Sequence, residues 1–160
     1  GVMTWLIFIA AGLVIFGSVY WLKPSPRDTR IAALRLDAIK LGLQVRHHSF
    51  QPDSAKSGVR DVITGTSYSR MNNPGKPQGD LRFRIVGQPA WDSEGLPEGL
   101  SWHDKSRNPA EDCARIQEAL ASVKDPILLL EVYDNRVMLI AAENREASAG
   151  EYKKIIDAFL

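Results

Sequence analysis

The sequence has only one cysteine, Cys113, among its 160 residues. A single chain therefore cannot form an internal disulfide or a cysteine-based metal cluster. Cys113 shares helical spacing with Ile116 and Leu120, so we expect it to be a small core residue rather than a nucleophile. The sequence also has no GxxxxGKS/T loop and no GxGxxG turn, which excludes the usual backbone cradles for nucleotide phosphates.

Patterns typical of metal sites and catalytic sites are also scarce. His47 and His48 are adjacent in a predicted strand and should face opposite sides of a sheet, while His103 lies in no metal-binding motif. Residues 101–104, Ser-Trp-His-Asp, contain the residue types of a hydrolytic triad, but groups so close in sequence rarely form the hydrogen-bonded line of a triad. We interpret them as loop composition. We therefore expect no metal and no cofactor, and we favour a protein that is not an enzyme.

Charged residues are absent from 4–22, TWLIFIAAGLVIFGSVYWL. A helix of this length, at about 1.5 Å per residue, is long enough to cross the hydrocarbon core of a bilayer. Trp5 at one end and Tyr20 with Trp21 at the other match the aromatic belts of membrane interfaces. We predict an N-terminal tail, 1–3, and a transmembrane helix over 4–22. A cleaved signal peptide is disfavoured because no basic residue precedes Trp5.

The formal net charge is only +1, but the charges are distributed unevenly. Residues 23–46 contain six basic and two acidic side chains, while the rest of the chain contains 14 basic and 17 acidic ones. The positive-inside rule then places the N-terminus outside and the folded domain in the cytoplasm, at a bacterial inner membrane. We expect Lys23, Arg27 and Arg30 to contact lipid headgroups. Nucleic acid is not an expected partner, because the basic excess does not extend to the folded domain.

Small side chains recur at seven-residue spacing within the apolar segment, Ala10 with Gly17 and Ala11 with Ser18. On a helix this spacing aligns them in one stripe, which would let a second membrane helix approach closely. These four residues are the candidate transmembrane interface. The alternative is ordinary composition, because small residues are common in membrane helices.

Residues 23–160 predict one soluble α+β domain. Ser25 before Pro26 is typical of a helix start and Gly42 of a helix end, so we predict a basic juxtamembrane helix over 26–41. A second helix should start at Pro109, and a last helix should start at a capping box formed by Ser148 and Glu151. The predicted strands lie at 43–46, within 59–71, and at 81–86, 127–133 and 136–142. These elements predict a mostly antiparallel sheet of about five strands packed by about three helices.

Residues 87–107 combine glycines and prolines with two tryptophans, which predicts an ordered irregular segment. A ligand pocket under this segment would use Trp91 or Trp102 together with an arginine of the sheet. Four arginines of the predicted strands could share one face and bind an anion, but the polar positions of any solvated face explain them better. These are Arg46, Arg70, Arg82 and Arg84.

Residues 21–27, Trp-Leu-Lys-Pro-Ser-Pro-Arg, precede a predicted helix that leads into residues 41–45, Leu-Gly-Leu-Gln-Val. This pattern resembles small proteobacterial single-pass inner-membrane proteins, some of which are labelled YajC-type preprotein translocase subunits. The resemblance covers about the first third of the chain. It implies one membrane helix with a basic, proline-containing exit and an accessory role beside a larger membrane complex.

Two functional hypotheses follow. The first is a membrane-anchored, non-enzymatic accessory or assembly subunit that contacts lipid and other membrane protein subunits. The alternative is a membrane-tethered enzyme or ligand-sensing domain with a pocket near residues 87–107.

Overall fold

A computed structural model describes residues 1–22, 25–72 and 79–160, without the side chains of 19–22. The chain divides into two compact units, Gly1–Ala33 and Leu34–Leu160. Within the described residues there are five α-helices and one six-stranded antiparallel sheet. The predicted α+β class is therefore confirmed, with one strand more than expected.

The first unit contains α1, Val2–Leu22, and the start of α2, Pro26–Lys40. The helix predicted over 4–22 is confirmed and begins at Val2. A span requires about 20 predominantly apolar residues. Among the residues described, no helix is both long and apolar enough to cross a membrane. The prediction of a transmembrane span is therefore not supported.

The ends of α2 agree with the prediction to within one residue. Ser25 Oγ accepts a hydrogen bond from the Asp28 N–H at 3.1 Å, which satisfies one of the free N–H groups at the helix start. At the other end Gly42 has a φ of +91°, a left-handed conformation that glycine adopts without a Cβ penalty. Leu43 N–H then donates to the Ala38 carbonyl at 3.0 Å. This turn leads the chain from the helix into the first strand.

The sheet contains the five predicted strands and a sixth, short one. The strands are β1, Gln44–Phe50; β2, Ile63–Met71; β3, Leu81–Val86; β4, Ser101–Asp104; β5, Ile127–Tyr133; and β6, Arg136–Ala141. Their order is β1-β2-β6-β5-β3-β4, and all neighbours are antiparallel. The apolar β5 is paired on both sides, by β3 and by β6, as expected of a run of leucines.

The two faces of the sheet are covered differently. On the helix-covered face, α2, α4 (Pro109–Leu120) and α5 (Ala149–Phe159) contribute to the main core. The apolar stripe of α5, which consists of Tyr152, Ile155, Ile156 and Phe159, is buried there. On the loop-covered face, residues of the segments 51–62 and 87–100 pack on a smaller cluster. That cluster consists of Val59, Ile63, Val86, Leu129, Met138 and Ile140.

Two short elements differ from the sequence-based prediction. α3, Ser54–Ser57, lies between the first two predicted strands, where no helix was predicted, and its N-cap Asp53 accepts a hydrogen bond from the Ala55 N–H at 3.1 Å. β4 lies inside the segment 87–107 that was expected to be irregular, where it pairs with β3. Each element has four residues, too few for a periodic pattern to reveal it.

Candidate functional site

The loop-covered face holds a partly buried ion cluster centred on Arg84 of β3 and Glu131 of β5, which are direct cross-strand partners. Arg84 Nε lies 2.6 Å from Glu131 Oε1, and Arg84 Nη1 lies 2.9 Å from Asp104 Oδ2. Lys56 of α3 also pairs with Asp104. The guanidinium carbon is 4.5 Å from the ring centroid of Phe50, within range of a cation–π interaction. Two cations thus meet two carboxylates.

The charges of this cluster stabilise one another. Burial by itself would lower the pKa of Arg84, but the charge and hydrogen bond of Glu131 outweigh it and the pKa is raised. Burial would raise the pKa of Asp104, but hydrogen bonds from Lys56 and His103 lower it below its usual value. Both partners therefore stay charged, and the arrangement favours a fixed ion network over proton transfer.

His103 of β4 is 7% exposed and has a partner at each ring nitrogen. Its Nε2 accepts a hydrogen bond from the Asp53 N–H at 3.0 Å, so the proton belongs on Nδ1, which lies 2.7 Å from Asp104 Oδ2. The hydroxyl of Ser101 accepts from the Ala90 N–H at 3.0 Å. Ser101 and His103 are thus held by separate partners and form no triad. The interpretation as loop composition was wrong, because these residues form a buried strand.

A second buried network lies on the helix-covered face. Glu143 accepts hydrogen bonds from Arg35 Nη2 of α2 at 3.2 Å and from the Tyr68 hydroxyl of β2 at 2.7 Å. The Tyr152 hydroxyl of α5 donates to Asp125. The rings of Tyr68 and Tyr152 are 4.7 Å apart, so the two halves of the network are in contact. It connects one helix before the sheet with the last helix of the chain.

Backbone geometry supports this second network. Glu143 has a φ of +55°, which is uncommon for a residue with a side chain. Asp125 accepts hydrogen bonds from the N–H groups of Glu143 at 3.3 Å and Asn144 at 3.0 Å. Burial raises the pKa of both tyrosines, and the carboxylate that each one contacts raises it further. The tyrosines therefore remain protonated donors, consistent with a structural role.

Two cavities border the segment 87–107. One has a volume of about 390 Å³ and is lined by Glu94, Gly95, Lys105, Pro109, Ala110 and Cys113. The other has about 210 Å³ and is lined mainly by polar side chains, among them Arg82 and Asp112. Neither tryptophan lines either cavity: Trp102 is 3% exposed in the core, and Trp91 is 71% exposed.

Cys113 lies beside the larger cavity and is buried. This confirms its prediction as a core residue. Burial, followed by the charge of Asp112, raises the pKa of its thiol. A raised thiol pKa reduces the thiolate fraction at neutral pH, which disfavours nucleophilic chemistry.

The four arginines of the strands do not share one face. Arg46 and Arg84 belong to the loop-covered face, by alternation with Phe50 and Val86. The other two belong to the opposite face. They pair with helix residues, Arg70 with Asp157 of α5 at 2.8 Å and Arg82 with Asp112 of α4 at 3.8 Å. The alternative of an anion site shared by all four is therefore wrong.

The structure describes most, but not all, of the candidate interface and headgroup residues near the N-terminus. Ala10, Ala11 and Ser18 are exposed on α1, and Gly17 is half-buried. A Cβ added at Gly17 would meet no atom within 4 Å. Arg27 is exposed and Arg30 half-buried on α2, while Lys23 lies outside the described residues. No described contact tests the stripe of small residues as an interface or the basic residues as headgroup contacts.

Sequence reasoning did not find the ion cluster on the loop-covered face, although one signal was present. Glu131 is the only charged residue within the otherwise apolar β5, and a carboxylate in a strand covered on both faces requires a charged or hydrogen-bonding partner. Its partner Arg84 is distant in sequence. The pair can therefore be predicted only when it is known that β3 lies beside β5 in the sheet.

Comparisons of the chain with protein-family models, with curated proteins and with solved structures found no match.

Proposed function

We propose that this protein is a membrane-anchored, non-enzymatic accessory subunit that acts through contacts with other proteins of a bacterial inner-membrane complex. The observation that carries the proposal is the surface of α1. Its large apolar side chains between Val2 and Phe16 are each at least 55% exposed. Burying such a side chain is favourable by about 1.5–3 kcal/mol. A helix with this surface requires lipid or another apolar surface around it.

The second unit supports an accessory role through the state of its polar groups. The charged side chains of the ion cluster pair with one another, and the buried tyrosines and carboxylates form closed hydrogen bonds. Groups satisfied in this way stabilise a fold, whereas catalytic groups need room and a reacting partner. A surface that binds other proteins fits this unit better than a reaction centre.

The basic residues that follow α1 support the same setting. Arg27 and Arg30 lie in the first turns of α2, where the attraction to anionic lipid is about 1 kcal/mol per basic residue near the membrane surface. We place the folded unit on the cytoplasmic side, because positive charge favours that side. The resemblance to YajC-type subunits agrees with this accessory position.

Fractionation of the full-length protein tests the anchor. We expect the wild-type protein to sediment with membranes after a carbonate wash and to need detergent for release. The double variant Ile9→Lys/Leu13→Lys should move to the supernatant, because each central charge costs about 2.5–3.5 kcal/mol on the insertion scale. Val62→Lys is the matched control, since Val62 is also an exposed apolar residue but lies in the second unit. Folded wild-type protein in the supernatant without detergent would refute the proposal.

Purification tests the accessory role separately. In mild detergent, the wild-type protein should co-purify with another membrane protein at constant stoichiometry, detected by mass spectrometry. A lone monomer under conditions that preserve known membrane complexes would contradict this part of the proposal.

The alternative of a ligand-sensing domain has one observation in its favour, the cavity of about 390 Å³ beside the segment 87–107. Its volume lies within the range of about 300–1,000 Å³ that is typical of small-molecule sites. A metabolite that binds there should raise the melting temperature of the protein. Ala110→Trp, which fills the cavity, should abolish that shift.

A further inference from the structure

One edge of the sheet is a long, regular strand. β1 is the terminal strand of the sheet order and pairs with β2 over all seven of its residues without a register shift. In the described part of the chain, no strand pairs with its other edge. The strand has no proline and no bulge, two devices that commonly protect an edge from further pairing.

The direction of the free backbone groups follows from the contacts with β2. Ser67 Oγ donates to the Arg46 carbonyl at 3.0 Å, so this carbonyl faces β2. Inward and outward backbone groups alternate along an antiparallel strand. The N–H and C=O groups of Val45, His47 and Ser49 therefore face away from the sheet, as an added strand would require.

The side chains of this edge include one fixed positive charge, that of Arg46. β1 contains Arg46, His47 and His48 and no acidic residue. The Arg46 guanidinium has no ion pair among the described residues, unlike Arg84. Arg46 and His48 project to the loop-covered face, because they alternate in step with Phe50, which packs on the cluster of that face.

This charge pattern also distinguishes between possible occupants. A second copy that paired antiparallel through the same outward groups would be centred on His47. Arg46 of each chain would then lie opposite His48 of the other, so neither guanidinium would meet a carboxylate across the new strand pair. An extended segment with acidic side chains at alternate positions would instead place a carboxylate opposite Arg46, which stabilises the pairing.

We propose that the free edge of β1 is a docking site for an extended acidic segment of a partner protein, which adds a seventh strand to the sheet. Backbone hydrogen bonds supply affinity, and the Arg46 guanidinium selects the acidic segment. This inference rests on the proposed accessory function, for which it supplies the contact surface.

Two synthetic peptides test the docking site on the full chain in mild detergent. One alternates valine with glutamate, and the other alternates valine with lysine. We expect the glutamate peptide to bind more tightly by about tenfold, since each cross-strand charge pair changes the free energy by roughly 0.2–1 kcal/mol. Bound peptide should slow hydrogen exchange at the amides of Val45, His47 and Ser49. Equal affinity for both peptides, or no added protection at these amides, would overturn the proposal.

Variants separate the contribution of charge from that of the backbone. Arg46→Glu should weaken binding of the glutamate peptide and strengthen that of the lysine peptide, whereas Lys124→Glu, at an exposed position outside the edge, should change neither. His47→Pro removes one outward N–H and should weaken both peptides. Because this variant could disturb the fold, the same point is tested by methylating alternate amides of the glutamate peptide. Methylation in one register should abolish binding and in the other should not.

Sedimentation and hydrogen exchange of the protein without peptide distinguish a partner segment from a second copy of the chain as the occupant of the edge. Self-association through the edge, detected as concentration-dependent protection of the same amides, would overturn the proposal in favour of a second copy. Membrane fractionation does not depend on β1. A protein that sediments with membranes but binds neither peptide would therefore refute the docking site and leave the proposed anchor intact.

Discussion

The two faces of the sheet are stabilised by different means although they share the same strands. The helix-covered face packs three helices on large apolar side chains of the strands, among them Phe83, Leu130 and Leu139. The loop-covered face has a smaller apolar cluster and a partly buried ion network around Arg84. Helices bury a continuous stripe, whereas loops must satisfy their own backbone groups and leave room for polar contacts. We therefore expect the first face to resist unfolding mainly through packing and the second through paired charge.

Adjacent leucines of β5 provide a direct comparison of the two faces. Leu130 lies on the helix-covered face and Leu129 on the loop-covered face, and both are almost fully buried. We expect Leu130→Ala to lower the free energy of unfolding by about 4 kcal/mol and Leu129→Ala by about 2–3 kcal/mol, because loops collapse into a cavity more readily than packed helices. Urea denaturation in one detergent measures both. Equal losses, or a larger loss at Leu129, would contradict the difference between the faces.

The ion network should respond to the loss of one partner more than to the loss of two. Glu131→Leu leaves the half-buried Arg84 beside an apolar side chain with Asp104 as its remaining carboxylate partner, and we expect the free energy of unfolding to fall by about 2 kcal/mol. The double variant Glu131→Leu/Arg84→Met removes both charges and should recover most of that loss. The same denaturation measurement applies. If the loss of unfolding free energy in the double variant equalled the sum of the losses in Glu131→Leu and Arg84→Met, the two charges would be acting independently.

Acid should weaken the loop-covered face through Asp104. Its pKa is lower in the folded protein than its usual value, because hydrogen bonds and the charge of Arg84 outweigh burial. The stability that this group contributes is therefore present above its unfolded pKa of about 3.9 and is lost as the pH falls through the folded value. Asp104→Asn should be less stable than the wild type at pH 7, and the difference should narrow towards pH 2. Parallel curves of unfolding free energy against pH would contradict this assignment.

The parts of the fold that the sequence predicts are those determined by local patterns. The strand predicted at 81–86 and the run at 127–133 match β3 and β5 in full, because alternation and apolar runs extend over several residues there. β4 was missed because four residues carry too short a pattern. The ion cluster was missed for another reason: Arg84 and Glu131 meet only because β3 lies beside β5, and strand order is not encoded in any local segment.

Two helix caps, one on each side of the sheet, give the comparison with the smallest expected change in stability. On the loop-covered side, Asp53 accepts a hydrogen bond from the Ala55 N–H at the start of α3. On the helix-covered side, Ser148 was predicted to form a capping box, but its side chain makes no cap hydrogen bond at the start of α5. Removing a working cap costs about 1 kcal/mol. We expect Asp53→Ala to cost about that much and Ser148→Ala less than about 0.5 kcal/mol, because packing of the apolar stripe already holds α5 in place. Urea denaturation measures both variants, and a larger loss for Ser148→Ala would mean that the serine caps α5 in solution.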